Sequence, residues 1–189
     1  MTRDEILNAA AQIFSQKGYH ATSMQDIAEA VQLQKASLYH HISSKQDILL
    51  ALLDKALDML IECMQAVLQQ PLTPDAKLRQ AMCVYLETLL QHRDLAAVLL
   101  LEHRSLDPEY HARHIPRRDR FEKLWRELIC EGQQQGIFNT HDPALASRAV
   151  LGVLNWTITW YRDSGPLAPS VLAERLSDLF LSGLLARVR

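Results

Sequence analysis

The segment from Gln34 to Asp47, QKASLYHHISSKQD, brings together side chains that could bind an anion. It holds two lysines, a tyrosine, three serines and the adjacent pair His40 and His41. A packed core excludes unpaired polar groups, so we expect this segment on a surface. Lysine can pair with phosphate or guanine, glutamine can pair with adenine, and hydroxyl groups suit phosphate oxygens.

Helical periodicity determines how these groups are displayed. Apolar residues recur at helical spacing almost throughout the chain, and we find no convincing strand pattern. A short helix over about residues 34–41 directs Leu38 and Ile42 inward. The opposite face then carries the polar and aromatic side chains of Gln34, Lys35, Ser37, Tyr39 and His40.

Two further helices precede this one. The first is predicted from Thr2 to Lys17, where Thr2 and Glu5 have the spacing of a capping box. The second, Met24–Ala30, follows a Thr-Ser start signal and ends three residues before the third helix. Two short helices joined by about three residues, the second with exposed polar groups, form a helix-turn-helix pattern.

The details of this region resemble a known family. The stretch A-T-S-M-Q-D-I-A-E-A-V-x-L-x-K-A-S-L-Y-H-H-I-x-S-K-x-D-I-L, from Ala21 to Leu49, is similar to the N-terminal domain of TetR/AcrR transcriptional regulators. The similarity extends back to Ile6–Tyr19, an apolar helix followed by Phe, a glycine and an aromatic residue. It covers about the first 50 residues, where order, spacing and residue types all agree.

The resemblance implies which residues contact DNA. The positions that match the family's contacts are Thr22, Lys35, Ser37, Tyr39, His40 and Lys45. Ser23 also belongs to the predicted set, because a helix N-terminus that it caps can bind a phosphate. Gln34 completes the set as a side chain that can pair with adenine.

Two positions depart from the family pattern. The turn between the helices usually contains glycine, and Gln32 stands there instead, so a positive φ would cost about 1 kcal/mol of strain. Gln34 replaces the usual Ser or Thr cap, which costs about another 1 kcal/mol. Four basic and five acidic residues up to position 50 predict a modest salt dependence of DNA binding.

The rest of the chain predicts a longer helical bundle. Further helices are expected over about residues 44–70, 75–92, 95–104, 107–136, 143–162 and 169–187. The predicted fold class is all-α, with about nine helices. We expect a helix-turn-helix DNA-binding domain at 1–46 and a ligand-binding and dimerisation domain at 47–189.

Two segments of the bundle are candidates for an effector site. Residues 102–126 are rich in arginine, and LNWTITWYRDSGPL, residues 154–167, places Trp156 and Trp160 on one helical face. Each segment also has an interpretation without a ligand. The arginine-rich segment could be an exposed helix with i, i+4 ion pairs, and the tryptophan segment could pack in the core or at a dimer interface. The segment with the two tryptophans loosely resembles a type seen in family members that regulate fatty-acid, aromatic or steroid degradation, where the effector is often an acyl-CoA thioester. The predicted ligand-binding residues are Arg104, Arg117, Arg120, Phe121, Trp125, Trp156, Trp160 and Arg162.

The last two helices are predicted to form a dimer. They carry more apolar groups than one monomer core can cover, and the family implies a two-fold four-helix interface. The predicted interface residues are Leu151, Leu154, Leu176, Leu179, Phe180, Gly183 and Leu184.

Composition and motifs exclude several other classes. The 189 residues carry a net charge of −2, and no apolar run reaches the length of a membrane span. We expect no cofactor and no metal: Cys63, Cys83 and Cys130 are widely separated, and His111 and His114 have no evident third ligand. The sequence contains no nucleophile–base pair at a meaningful spacing and no phosphate loop, so it does not predict an enzyme. A cytoplasmic location fits the three cysteines.

The sequence therefore predicts a one-component repressor. A homodimer would bind a palindromic operator in double-stranded DNA, and a small-molecule effector, of the acyl-CoA type or another apolar-anionic metabolite, would release it. The alternative is a helical dimer that binds a ligand or partner and no longer reads DNA.

Overall fold

A computed structural model describes residues 2–184, and the regular elements of this part of the chain are all helical. The predicted all-α class is therefore confirmed. The predicted end of the last helix, near Arg187, lies outside the described residues. The helices are α1 (Arg3–Lys17), α2 (Met24–Ala30), α3 (Lys35–His41), α4 (Lys45–Leu68), α5 (Pro74–Gln91), α6 (Arg93–Leu101), α7 (Pro108–Gln134), α8 (Pro143–Trp160) and α9 (Pro169–Leu184), with a short 3-10 helix (His103–Ser105) between α6 and α7.

The chain folds into two compact units, each built from two separate stretches of sequence. The first unit comprises Met1–Asp58 and His92–Arg118, and the second comprises Met59–Gln91 and Asp119–Arg189. Helices α4 and α7 contribute residues to both units. The predicted boundary at 46/47 does not coincide with a boundary of either unit, and the division into two functional domains stays a prediction.

Local sequence explains the ends of α1. Thr2 Oγ1 accepts the Glu5 amide at 3.2 Å, and the Glu5 carboxylate accepts the Thr2 amide at 2.6 Å, so the predicted capping box is confirmed. Gly18, with φ 83°, ends the helix, and its amide donates to the carbonyl of Phe14. The buried face includes Ile6 and Phe14, which anchor α1 in the first unit.

The helix-turn-helix predicted from the sequence is also present. Ser23 caps α2, and its side chain accepts the Asp26 amide while the Asp26 carboxylate accepts the Ser23 amide. The turn that follows contains Gln32, whose φ is 55°. Helix α3 then packs through Leu38, which is fully buried.

The segment after α6 completes the first unit. Helix α6 packs on α1, and Glu102 at its end accepts the amide of Tyr19 at 3.2 Å. Gln46 in the first turn of α4 donates its side-chain amide to the carbonyl of Ser105 at 3.0 Å and accepts the amide of Asp107 at 3.1 Å. Side-chain hydrogen bonds therefore fix this segment to the end of α1 and the start of α4.

The second unit is a bundle in which α5 packs on α8 and α9. Tyr85 stacks on Phe121 with ring centroids 5.7 Å apart, and Trp125 meets Tyr85 edge to face at 5.6 Å. Leu151 and Leu154 are buried by their own chain. Their assignment to a dimer interface stays a prediction, although most of their surface is already covered within the monomer.

Candidate nucleic-acid interface and effector cavity

Helix α3 presents the candidate DNA-reading face. Lys35, Tyr39 and His40 are exposed, Tyr39 by 45 %, while Leu38 on the opposite side is fully buried. Among the described residues these three side chains form no hydrogen bond or ion pair. The buried leucine fixes the helix, and the donors on the other face are available to a partner.

The N-terminal end of α3 is open as well. Gln34 has the extended backbone of an N-cap, but its side chain makes no capping hydrogen bond and is exposed. Ser37 lies one turn further on and is half-buried. Recognition helices contact bases with their N-terminal residues, so Gln34 and Lys35 occupy favourable positions.

The side chains at the start of α2 are engaged within the protein. Ser23 Oγ donates to the Asp26 carboxylate at 2.6 Å, and Lys17 Nζ reaches the same carboxylate at 2.8 Å. The hydrogen bond from Lys17, followed by those from Ser23, holds the pKa of Asp26 far below its usual range. Ser23 thus acts as a helix cap in this structure.

Thr22 and Lys45 also have structural partners. Thr22 is buried, and its hydroxyl donates to the carbonyl of Gly18 at 2.8 Å. Lys45 Nζ donates to the carbonyls of Tyr19 and Thr22 at 2.9 and 2.7 Å and lies 4.3 Å from the centroid of the Tyr19 ring. Burial first, then Asp107 and Tyr110, raises the pKa of Tyr19 to about 12. These contacts tie the loop between α1 and α2 to the start of α4.

The second unit contains a small apolar cavity of about 10 Å³. This volume is close to the minimum that holds one water molecule. Of the eight predicted ligand-binding residues, Trp125 lines it, and Phe121 is buried beside Trp125 with ring centroids 6.4 Å apart. The lining residues are Leu60, Cys63, Met64, Val67, Ala81, Val84, Tyr85 and Trp125.

The predicted arginines do not rim this cavity. Arg104 and Arg117 belong to the first unit, where Arg117 pairs with Asp54 at 2.6 Å and Asp58 at 2.8 Å. Arg120 and Arg162 belong to the second unit and are exposed, but neither lines the cavity. Arg117 is therefore engaged in ion pairs with α4 rather than with neighbours on its own helix, and its assignment to a ligand site stays a prediction.

Trp156 and Trp160 lie on the exposed face of α8, with 65 % and 47 % of their surfaces accessible. The buried face of α8 is formed by other residues, including Val150, Leu154 and Thr157. The helical face that they share points away from the core of their unit and does not line the cavity, so their assignment to a ligand site stays a prediction.

The remaining predicted interface residues lie on α9. Leu179 is 69 % exposed and Gly183 is exposed, while Leu176, Phe180 and Leu184 are half-buried. A Cβ built on Gly183, or on Gly152 of α8, would meet no atom within 4 Å.

Sequence reasoning missed several residues at these sites. Gln46 and Glu102, which fix the helix-turn-helix to the segment after α6, carry no sequence signal because their partners are distant in the chain. Leu145 and Val153 are exposed on α8 with the two tryptophans. Val153, Trp156 and Trp160 follow Leu145 by eight, eleven and fifteen residues, which are helical intervals. A search for a second apolar stripe could therefore have found Leu145 and Val153.

None of the helices within residues 2–184 has the length and apolar character needed to cross a membrane.

Two family profiles match the chain. One, described as "Bacterial regulatory proteins, tetR family", matches residues 6–52. The other, described as "Tetracyclin repressor-like, C-terminal domain", matches residues 71–184. Together they cover the candidate DNA-reading helices and the cavity-lining residues of α5 and α7, whereas the lining residues of α4 lie between the two matches.

Individual relatives are similar over nearly the whole chain. The HTH-type transcriptional repressor KstR2 of Mycobacterium tuberculosis is 26 % identical over 184 residues, which cover 96 % of this chain and 92 % of the relative. The crystal structure of the regulator PfmR from Thermus thermophilus superposes with a TM-score of 0.87 and 39 % identity, covering 95 % of this chain and 98 % of that one. The structure of AibR in complex with isovaleryl coenzyme A and operator DNA has a TM-score of 0.84 and 30 % identity, covering 97 % of each chain.

Proposed function

The chain belongs to the TetR family of bacterial regulatory proteins, and on that basis we propose that it is a sequence-specific transcriptional repressor controlled by a small molecule. The observation that carries the proposal is the exposed face of α3. Its donors have no partner among the described residues, and a buried leucine holds the helix in place. The direct contacts we assign are Gln34, Lys35, Ser37, Tyr39 and His40.

Thr22, Ser23 and Lys45 receive a different role in this proposal. Their side chains hold the loop between α1 and α2 and the starts of α2 and α4. They would position the first turns of α2 and α4 towards phosphates while their own side chains stay engaged within the protein. The predicted domain division, DNA reading in 1–46 and effector binding and dimerisation in 47–189, remains part of the proposal.

The experiment is enrichment of genomic fragments on the purified protein at about 0.15 M salt. We expect a palindromic sequence that the wild type recovers and that Tyr39→Ala loses. The matched control is Leu101→Ala, because Leu101 is an exposed apolar residue of the same unit and lies outside α3. A Tyr39→Ala protein that recovers the same sequence with unchanged affinity would remove α3 from the interface.

A two-fold homodimer is the second part of the proposal. Support comes from a set of apolar side chains on α8 and α9 that the monomer leaves exposed: Leu145, Val153, Trp156, Trp160, Val171 and Leu179. Gly152 and Gly183 on the same helices leave open space where a second helix could approach closely. A dimer also matches a palindromic operator, whose half-sites lie about 34 Å apart.

Control by an effector is the third part. Helices α4 and α7 supply lining residues of the cavity and continue into the first unit. A ligand that opens the cavity could therefore shift the equilibrium towards a state that does not fit the operator. A hundredfold release of DNA requires about 2.7 kcal/mol of preference for that state.

The effector class we propose is an acyl-CoA thioester or a related apolar metabolite, by analogy with the isovaleryl coenzyme A bound to AibR. Isovaleryl coenzyme A is a direct probe, and free coenzyme A is its control. We expect the first, not the second, to dissociate the operator complex in a mobility-shift titration. Failure of a series of acyl thioesters of increasing chain length would exclude this class.

Operator binding implies that the protein works in the cytoplasm, where the bacterial chromosome lies. Cys63, Cys83 and Cys130 are all unpaired thiols in the structure, as a reducing compartment would keep them.

The alternative function, a helical dimer that no longer reads DNA, draws support from the internal engagement of Lys45. It predicts no enriched fragment from a folded dimer that is free of co-purified ligand. Mass spectrometry of the denatured protein shows whether such a ligand is present.

A further inference from the structure

The indole N–H of Trp125 has no hydrogen-bond partner among the described residues, although the side chain is fully buried. The ring packs edge to face against the stacked pair Tyr85 and Phe121, with centroid distances of 5.6 and 6.4 Å. A buried donor without a partner has lost its hydration and gained nothing in return, so the protein is less stable than with an acceptor in place.

The cavity beside Trp125 has an almost wholly apolar lining. No charged side chain lines it, and the hydroxyl of Tyr85 already donates to the Asn155 side chain at 2.5 Å. Met64 and Cys63 also line it, and such soft, adaptable side chains can move to admit a ligand. Among the lining residues, Trp125 is therefore the one whose buried N–H has no partner in the described part of the chain.

We propose that the cavity takes an uncharged apolar group bearing one carbonyl oxygen, and that this oxygen accepts the hydrogen of Trp125 Nε1. The inference rests on the effector function proposed above and names the chemical part of the effector that enters. Acyl thioesters and ketones have this chemistry. A phosphate or carboxylate stays outside, because no cation lines the cavity to offset its desolvation.

A pair of probes isolates the hydrogen bond. Methyl isobutyl ketone and isohexane have the same carbon skeleton, and the C=O of the first is replaced by CH2 in the second. The hydrocarbon leaves the Trp125 N–H unpaired, so the cavity should bind isohexane more weakly than the ketone, relative to the transfer of each probe from water. One net hydrogen bond corresponds to about a three- to tenfold change in affinity.

The first measurement is the NMR signal of the indole proton. The chain has three tryptophans, so three indole signals are expected, and Trp125→Phe identifies the relevant one by its loss. We expect the ketone to move this signal downfield, as hydrogen bonding does, and isohexane to leave it nearly in place. If Trp125→Phe does not fold, Trp156→Phe and Trp160→Phe assign the signal by elimination.

The second measurement compares dissociation constants. The ratio of the ketone constant to the isohexane constant should rise about three- to tenfold in Trp125→Phe, since only the ketone loses a bond. Comparing ratios cancels the different hydration of the two probes. Tyr161→Phe is the matched control: it removes a buried hydroxyl that donates to the carbonyl of Leu167 at 3.0 Å, outside the cavity lining, and should leave the ratio unchanged.

Three results overturn the inference: equal shifts with both probes, no shift up to the solubility limit of the ketone, or an unchanged ratio in Trp125→Phe. No DNA is present, so these outcomes are separate from those that test the repressor. The cavity could bind the ketone selectively while the ketone leaves operator affinity unchanged. That result would support the carbonyl site and contradict the control of DNA binding by this ligand class.

Discussion

Gln32 has an unusual backbone for its residue type. Among residues 2–184 it is the one non-glycine with a positive φ, at 55°. Its side chain is exposed, so nothing in the side chain's packing requires glutamine there. The sequence identified the position because the family usually has glycine in this turn, and the strained conformation confirms that interpretation.

We expect Gln32→Gly to raise the free energy of unfolding by up to about 1 kcal/mol, because glycine adopts this φ without a steric penalty. Denaturant titration measures the change. Gln12→Gly is the control with the opposite sign: Gln12 is exposed in the middle of α1, and glycine there should cost about 1 kcal/mol. A destabilised Gln32→Gly would mean that the turn carries no strain.

Asp26 makes the stability of the first unit depend on pH, and the direction of this dependence follows from its pKa. Its hydrogen bonds with Lys17 and then Ser23 lower its pKa in the folded state. The stabilisation is therefore present above about pH 4, the ordinary value for aspartate, and is lost as the pH falls through the folded pKa. Asp26→Asn should have a lower melting temperature than the wild type at pH 7. The difference between the two melting temperatures should decrease as the pH is lowered to about pH 2. A gap that is independent of pH would contradict this role.

At the scale of the helix, Lys45 and Lys35 carry the same charge but lie in different surroundings. Lys45 at the start of α4 is bonded to two carbonyls of the preceding loop, whereas Lys35 at the start of α3 is exposed. Salt titration of operator binding separates them, because removal of one phosphate contact reduces the slope of log K against log salt by about 0.9.

We expect Lys35→Ala to lower this slope and leave the melting temperature unchanged. Lys45→Ala should lower the melting temperature, weaken operator binding and leave the slope unchanged, since its ammonium is already engaged. If Lys45→Ala instead lowers the slope by about the same amount as Lys35→Ala, Lys45 is a phosphate contact and its partners in the structure are exchanged on binding DNA.

The boundaries of the short helices were predictable because they depend on neighbours in sequence. The capping box of Thr2, the cap of Ser23 and the glycine after α1 all act within three or four residues. The partners of Lys45 lie 23 and 26 residues away, so no local pattern announces them. Spacing likewise placed Trp156 and Trp160 on one face of α8, but which face the rest of the unit covers depends on tertiary packing.

At the scale of the whole molecule, the exposed apolar side chains on α8 and α9 predict the oligomeric state. Trp156→Glu places a charge among them, and burying it in an interface without a partner is unfavourable. We expect the variant to sediment as a monomer at a concentration where the wild type is a dimer. Leu72→Glu is the control, because Leu72 is exposed in the same unit outside α8 and α9. A Trp156→Glu protein that remains dimeric with wild-type affinity would exclude this face.

The discontinuous first unit limits how this protein can be recombined. The DNA-reading helices share a compact body with residues 92–118, and α6 packs directly on α1. A chimera that receives residues 1–46 of this chain on the body of another repressor would inherit α1 without the α6 surface that fits it. A working exchange of operator specificity should therefore replace only the exposed residues of α3, or transplant the segment around α6 together with the head.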